Sequence, residues 1–174
     1  KAAAVLIPPS NIWEPIQGIR TQYDRHQPRW MPHINLLYPF VPPEKFPDAA
    51  VKIKKALHNF EPFEITMKDI SYFRHREDAF TFWLKPEPVD GVKALHKKLL
   101  DLYPEYDDTA NYDNGYTPHL TLGQNYYSET MTQNQVGQLK NNWEPLRWTA
   151  DRIYLIWRND LPDDEFRIGE EIQF

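Results

Sequence analysis

Two short stretches of this chain carry residues that could do acid–base chemistry. "RWMPHINLLYPF" contains His33, and "NGYTPHLTLGQN" contains His119. In both, Pro-His is followed by an apolar residue, a short hydrogen-bonding residue (Asn35 or Thr121) and leucine. Histidine titrates near ~6.5, so around neutral pH one imidazole can be uncharged while a second is protonated. The first can take a proton from an attacking water and the second can return one to a leaving oxygen. Each such transfer is typically worth ~10² to 10⁴-fold in rate. The threonine hydroxyl and the asparagine amide can donate hydrogen bonds to the non-bridging oxygens of a tetrahedral anion, where charge must be held. This set needs no cofactor and no metal. Neither histidine sits in a carboxylate-bearing pattern such as H-E-x-x-H, which speaks against a metal centre.

A lone histidine is most often a satisfied structural residue, so the pairing matters more than either member. Side chains alternate faces along a strand. If "HINLLYPF" and "HLTLGQ" are strands, His33 and Asn35 share one face, as do His119 and Thr121. Ile34, Leu36, Leu120 and Leu122 then point the other way, toward a helix layer. The same parity sends Tyr38 to the core. His26, His58, His75 and His96 are read as structural or surface residues, with His58 and His96 on lysine-rich, solvated helix faces.

The elements that would position these strands follow from periodicity and punctuation. "AAAVLIPP" reads as a buried strand stopped by prolines, and Ser10 could cap a helix running to about Tyr23. After the His33 strand comes a helix over "PDAAVKIKKALHNF". Two strands, "FEITMKDISYF" and "AFTFWLKP", are joined by the polar turn "RHRED". A helix over "VDGVKALHKKLLDLY" ends at Pro104 and leads into a polar loop. The His119 strand, a helix around "TQNQVGQLKNNW" and the strands "ADRIYLIWR" and "FRIGEEIQF" complete the chain. The order after the first strand is α-β-α-β-β, repeated once. "FEPFEITMKDI" aligns with "WEPLRWTADRI" at an offset of 83 residues, and the two histidines are 86 apart. Two landmarks with nearly one offset indicate an internal duplication. A pseudo-twofold axis between the halves would bring the two polar faces together in one cleft.

Composition bounds the rest. The chain has 174 residues, 41% hydrophobic and 26% charged, with a net charge of −5. That fits one α+β domain over 1–174 with pseudo-symmetric lobes of roughly 1–86 and 87–174. An acidic balance disfavours broad tracking of long nucleic acid, which depends on neutralising phosphates. It leaves room for a small anion or one RNA end. There is no cysteine, so disulfides and thiolate metal sites are excluded. No run is long enough for a membrane span, and the start lacks signal-peptide flanks. A monomer in the cytoplasm, or the nucleus, is the expectation.

Two H-x-[Thr/Ser]-x motifs in a duplicated α/β chain resemble the 2H phosphoesterase superfamily, nearest its 2′-5′ RNA ligase-like and RNA 2′,3′-cyclic phosphodiesterase branch. "PHLTLG" fits the motif fully, and "PHINLL" fits with asparagine for threonine. The resemblance spans essentially the whole chain. It implies a bilobed fold with two antiparallel sheets facing across a central cleft and helices outside. It also implies metal-independent opening of a nucleotide or RNA-terminal 2′,3′-cyclic phosphate to a 2′-phosphate. His33 and His119 would be the acid–base pair, and Asn35 and Thr121 would hold phosphate. Tyr72, Tyr116, Trp157 and Arg158, with Arg29 and Trp30, lie next to the motifs and are the candidates for substrate contact. A catalytically weak module binding nucleotides or RNA ends, and 2′-5′ joining as the reverse reaction, are the alternatives.

Overall fold

The computed structural model describes residues 1–174. The strands are β1 (Ala2–Leu6), β2 (Ile34–Leu37), β3 (Phe63–Arg76), β4 (Ala79–Glu87), β5 (Leu120–Asn125), β6 (Leu146–Ala150), β7 (Arg152–Trp157) and β8 (Arg167–Gln173). The helices are α1 (Trp13–Tyr23), α2 (Phe46–Ala56), α3 (Val89–Leu102) and α4 (Glu129–Asn142). The fold is the expected mixture of helices with antiparallel strands. Ser10 does not cap α1; it opens a 3₁₀ turn over Ser10–Ile12, and the helix starts behind Ile12 without a side-chain cap. Ser128 does cap α4, accepting from the Met131 backbone N–H at 3.3 Å. The β3–β4 turn is tighter than "RHRED" suggested, because β3 keeps pairing as far as Arg76 opposite Ala79.

The strands form one continuous sheet in the order β6-β3-β4-β5-β2-β1-β7-β8. In place of two separate sheets there are two four-stranded halves, joined only where β2 meets β5. That junction has a single register pair, Ile34 with Leu120. Each half draws strands from both parts of the chain. β3 and β4 of the first repeat lie with β5 and β6 of the second, and β1 and β2 lie with β7 and β8, so the last two strands of each repeat sit in the other half from its first strand. "WEPLRWTADRI" turns out to be two strands, β6 and β7, broken at Asp151. β6 pairs with β3 and β7 with β1, so one stretch serves both ends of the sheet.

The main core of 30 buried residues lies between the sheet and the helices, with α1 against β5, α3 against β2 and α2 against β8. A smaller cluster of Ala3, Val5, Ile7, Ile156 and Phe166 forms separately, with Trp30, Met31 and Tyr38 against it. Both central strands carry a bulge at the same place. Val5 pairs with Asn35 but Ala4 with Leu37, leaving Leu36 extra. Trp83 pairs with Thr121 but Phe82 with Gly123, leaving Leu122 extra. A bulge resets the alternation. Leu36 and Leu37 are therefore both buried, and Tyr38 is returned to the smaller cluster, edge-on to Trp30 at 5.3 Å, rather than joining the main core.

Gly123 sits inside the β5 bulge where α1 crosses. A Cβ there would lie 2.5 Å from the Tyr23 Cβ, 2.7 Å from Phe82 Cζ and 2.8 Å from the Tyr23 carbonyl carbon. Gly123→Ala is expected to lower stability by about 1–3 kcal/mol through overpacking, read as a lower urea midpoint.

Candidate active site

The Ile34–Leu120 pair determines what faces what. In an antiparallel register, one step either way sets His33 opposite Thr121 and Asn35 opposite His119. All four side chains fall on one face of the sheet, and all four are partly exposed, whereas Ile34, Leu36, Leu120 and Leu122 are fully buried beneath them. Directly opposed Cβ atoms are about 5 Å apart and diagonal ones about 7–8 Å. The site is thus a quadrilateral with the histidines on one diagonal and Asn35 and Thr121 on the other. A pseudo-twofold axis passes through its middle.

Both imidazoles are held the same way. His33 Nδ1 lies 2.7 Å from the Met31 carbonyl, and His119 Nδ1 lies 2.8 Å from the Thr117 carbonyl. A carbonyl oxygen only accepts, so Nδ1 donates in both rings and Nε2 is left free for a ligand. Around the rings the halves differ. Trp30 stacks flat on His33 at 4.5 Å and 14°, with Phe166 stacked on it in turn at 3.8 Å. His119 meets Phe73 edge-on at 5.0 Å and Trp83 at 5.8 Å.

These surroundings disfavour charge on either ring. Burial holds the His33 imidazole down to about 4, opposed by the hydrogen bond to Met31 and helped by the positive charge of Arg20 and by His119 itself. Burial also lowers His119, opposed by its bond to Thr117 and helped by His75. Each histidine is partly exposed, yet its ring lies against aromatic side chains that help desolvate it. Arg20 is itself buried and paired to Asp24 at 3.0 Å, so its field on His33 is partly offset.

The carbonyls that β2 does not pair with β5 are taken up from the loop before His119. Tyr116 donates its hydroxyl to the Asn35 carbonyl at 2.6 Å, and Thr109 donates to the Leu36 carbonyl at 2.9 Å. The ring of Tyr116 stacks on His96 at 3.8 Å, and His96 Nε2 donates to Thr109 at 3.1 Å. His96 is consequently 6% exposed, not on a solvated face as its lysine-rich surroundings suggested. Burial pushes the Tyr116 phenol upward. Asn35 Oδ1 is buried with no partner, which leaves the amide nitrogen as the end for a ligand.

The candidates for substrate contact scatter. Tyr116 is beside the site but ties backbone together. Tyr72 lies on the helix face, where its hydroxyl meets Glu129 and Gln133 of α4. Trp157 packs against the main core with Arg167 over its ring at 4.6 Å. Arg158 is 6% exposed; it donates to the Asn159 and Leu161 carbonyls and lies 5.6 Å from the Phe166 ring. It props the loop whose Phe166 backs Trp30, and Arg29 accepts the Phe166 backbone N–H at its carbonyl. The sequence reading missed Phe73, Trp83 and Phe166. Strand parity could have found Phe73, since Tyr72 shares parity with the fully buried Ile70 and Phe73 does not.

The chain thus carries two histidines on one diagonal and two hydrogen-bonding side chains on the other. Comparison with known proteins places it in a family. The family model of the 2′-5′ RNA ligase superfamily matches residues 8–162, and the chain belongs to that superfamily. A Bacillus cytotoxicus protein named "Putative phosphoesterase" is 27% identical, aligned over 98% of this chain and 94% of its own. An RNA 2′,3′-cyclic phosphodiesterase of Thermotoga maritima is 24% identical, over 75% of this chain and 68% of its own. The crystal structure of E. coli LigT complexed with 3′-AMP superposes with a TM-score of 0.63 at 15% identity, covering 100% of this chain and 97% of that one. No helix is long and apolar enough to cross a membrane.

The depressed imidazoles make stability depend on pH. An unfolded histidine titrates near ~6.5, so between that value and about 4 the unfolded chain binds protons that folded His33 refuses. Stability should therefore rise with pH across this window. His33→Gln should flatten the rise, measured as urea midpoints from pH 4 to 7; an unchanged slope would show that the ring titrates normally in the fold.

Proposed function

We propose that this protein opens the 2′,3′-cyclic phosphate of a nucleotide or an RNA 3′ end by two-histidine acid–base catalysis. The observation that carries the reading is the diagonal arrangement, with His33 and His119 neighbours across the β2–β5 junction, each with Nδ1 committed to a carbonyl and Nε2 left free. A neutral imidazole takes a proton from water as the water oxygen bonds to phosphorus. The bond from phosphorus to the 3′ oxygen breaks, and the other imidazole, protonated, gives its Nε2 proton to that oxygen. The product is a 2′-phosphate. Thr121 and the Asn35 amide donate to the non-bridging oxygens throughout. No group on the chain is consumed, and the two rings end with the proton exchanged. The relative from Thermotoga maritima is named for this reaction, and the LigT neighbour holds a nucleoside monophosphate, which supports the class of ligand.

Asparagine at position 35 favours a second reading in which the site binds RNA ends with little turnover. Its unpartnered oxygen is a cost that a hydroxyl would not incur. Asn35→Thr discriminates: a rise in kcat marks the asparagine as a partial defect, and a fall marks it as fitted to its substrate.

Mechanism and electrostatics together give a pH profile. The reactive free form carries one proton on the pair. Both rings are lowered, so that form is most populated below pH 6.5. A bell-shaped kcat/KM with its maximum between about 4 and 6.5 is expected. The kcat bell should lie at higher pH, because bound phosphate favours the imidazolium. His33→Ala and His119→Ala should each lower kcat by roughly 10²-fold or more. EDTA should leave the rate unchanged. Activity retained in both alanine variants, or abolished by chelator, overturns the mechanism.

A further inference from the structure

The segment Asp24–Trp30, between α1 and β2, packs over the open face of the sheet just past Thr121. After the β5 bulge the next side chain on that face is Gln124, level with Thr81, which lies two residues or about 6.6 Å along β4 from the Trp83 opposite Thr121. Gln124 holds the segment: its Oε1 accepts from the Arg25 backbone N–H at 3.2 Å, and its Nε2 donates to Asp24 Oδ1 at 3.1 Å. The segment then runs through Arg29 to Trp30, the residue stacked on His33. Its side chains are thus next to the quadrilateral and in line with one of its sides.

Those side chains are cationic and underpaired. Arg25 donates from Nε to His26 Nε2 at 3.1 Å, and Arg29 Nη2 lies 2.6 Å from His26 Nδ1. A neutral imidazole has one free ring lone pair, so it can satisfy only one of these two donors. Protonation is no remedy, since burial and both guanidinium groups hold the ring below its ordinary value. Neither arginine takes part in any ion pair of the chain. The adjacent Asp24 is already engaged by Arg20, by the His26 backbone and by Gln124. Arg25 also reaches the hydroxyl of Tyr126, whose ring is 54% exposed and lies 5.8 Å from the guanidinium. On its other side Arg29 borders a cavity of about 310 Å³ with Trp30 and Phe166, in which Glu165 is the one carboxylate. Two guanidinium groups converge here on one acceptor, and an oxyanion is the group that would complete the set.

We propose that Arg25, His26 and Arg29 form a second anion subsite that binds the phosphodiester next to the reacting phosphate, so that the protein prefers an oligonucleotide end to a mononucleotide. This rests on the reading of the His33–His119 site given above. A cyclic mononucleotide fills only the quadrilateral. A dinucleotide carrying the same terminal cyclic phosphate has one further charge, a single nucleotide step away. Guanidinium forks recognise a phosphodiester with two charge-assisted bonds, and the displaced donor on His26 is relieved at the same time.

The test compares a dinucleotide with a nucleoside, both ending in a 2′,3′-cyclic phosphate. The wild-type chain should favour the dinucleotide in kcat/KM by roughly tenfold, the size of a lost charge-assisted hydrogen bond. The Arg25→Gln, Arg29→Gln double variant should bring that preference close to one, and rising salt should erode it in the wild type. A preference that survives in the double variant, or is absent from the wild type, overturns the subsite. Binding of the two corresponding 3′-monophosphates, followed by tryptophan fluorescence, separates this idea from the catalytic one. Should neither cyclic substrate turn over while the affinity ratio still collapses in the variant, the subsite stands and the catalytic reading falls. Equal wild-type affinities for the two monophosphates would remove the subsite irrespective of turnover.

Discussion

The structure depends on one register pair, Ile34 opposite Leu120. Side chains alternate with period two, so sliding β2 past β5 by one residue would turn His33 and Asn35 into the core and bring Ile34 and Leu36 out. The pair is held in register by what lies beneath it, since Ile34, Leu36, Leu120 and Leu122 are all fully buried against helices. It is isolated by what lies beside it. The matching bulges at Leu36 and Leu122 bend the two strands apart, and Tyr116 and Thr109 take the carbonyls that a longer ladder would have used. A narrow waist in a continuous sheet is therefore what makes the central space. Two four-stranded halves meet there, each built from two strands of either repeat.

Electrostatics follow from that packing. Two imidazoles diagonal to each other, each with Nδ1 committed to a carbonyl, disfavour charge on both at once, and His119 is among the causes that lower His33. Desolvation by Trp30, Phe73 and Trp83 makes even one charge costly. A bound anion reverses the balance, because it supplies the opposite charge that the walls lack. In the proposed function, proton uptake and ligand binding are then one event. The twofold symmetry is approximate in its surroundings: a flat indole against one ring and aromatic edges against the other make the rings chemically distinct. In the proposed reaction, which of them gives and which takes the proton can differ even though the backbone treats them alike.

Much of the fold was legible because local patterns and global packing agree. Both motif strands, the four helices and the duplicated order came from hydrophobic period, proline stops and the offset between repeats. The misreadings share a cause. Tyr38 was assigned by simple parity, which the Leu36 bulge interrupts. "ADRIYLIWR" was read as one strand and "LRWT" was left unassigned, because a separate β6 and the break at Asp151 are dictated by pairing to different strands of the sheet. His96 looked solvated from its lysine neighbours, yet Thr109 and Tyr116 arrive from a loop more than ten residues away to bury it. Tyr72 and Trp157 lie close in sequence to site-facing positions and on the wrong face of the sheet.

By itself the sequence determined the chemical inventory: two histidines, each followed at the second position by a short donor, on strands with one apolar face, in a chain that repeats itself. These are local facts, set by residue type and by the geometry of an extended backbone. Only the tertiary structure decided that the two strands are neighbours, that they meet in the one register that sets the donors on the opposite diagonal, and that Trp30, Phe166, Phe73 and Trp83 close around the rings. It also decided that Arg25 and Arg29 converge on His26 beside Gln124, a residue a hundred positions away. Strand pairing and aromatic packing are long-range choices, made by which surfaces bury best against one another, and no window along the chain contains both partners.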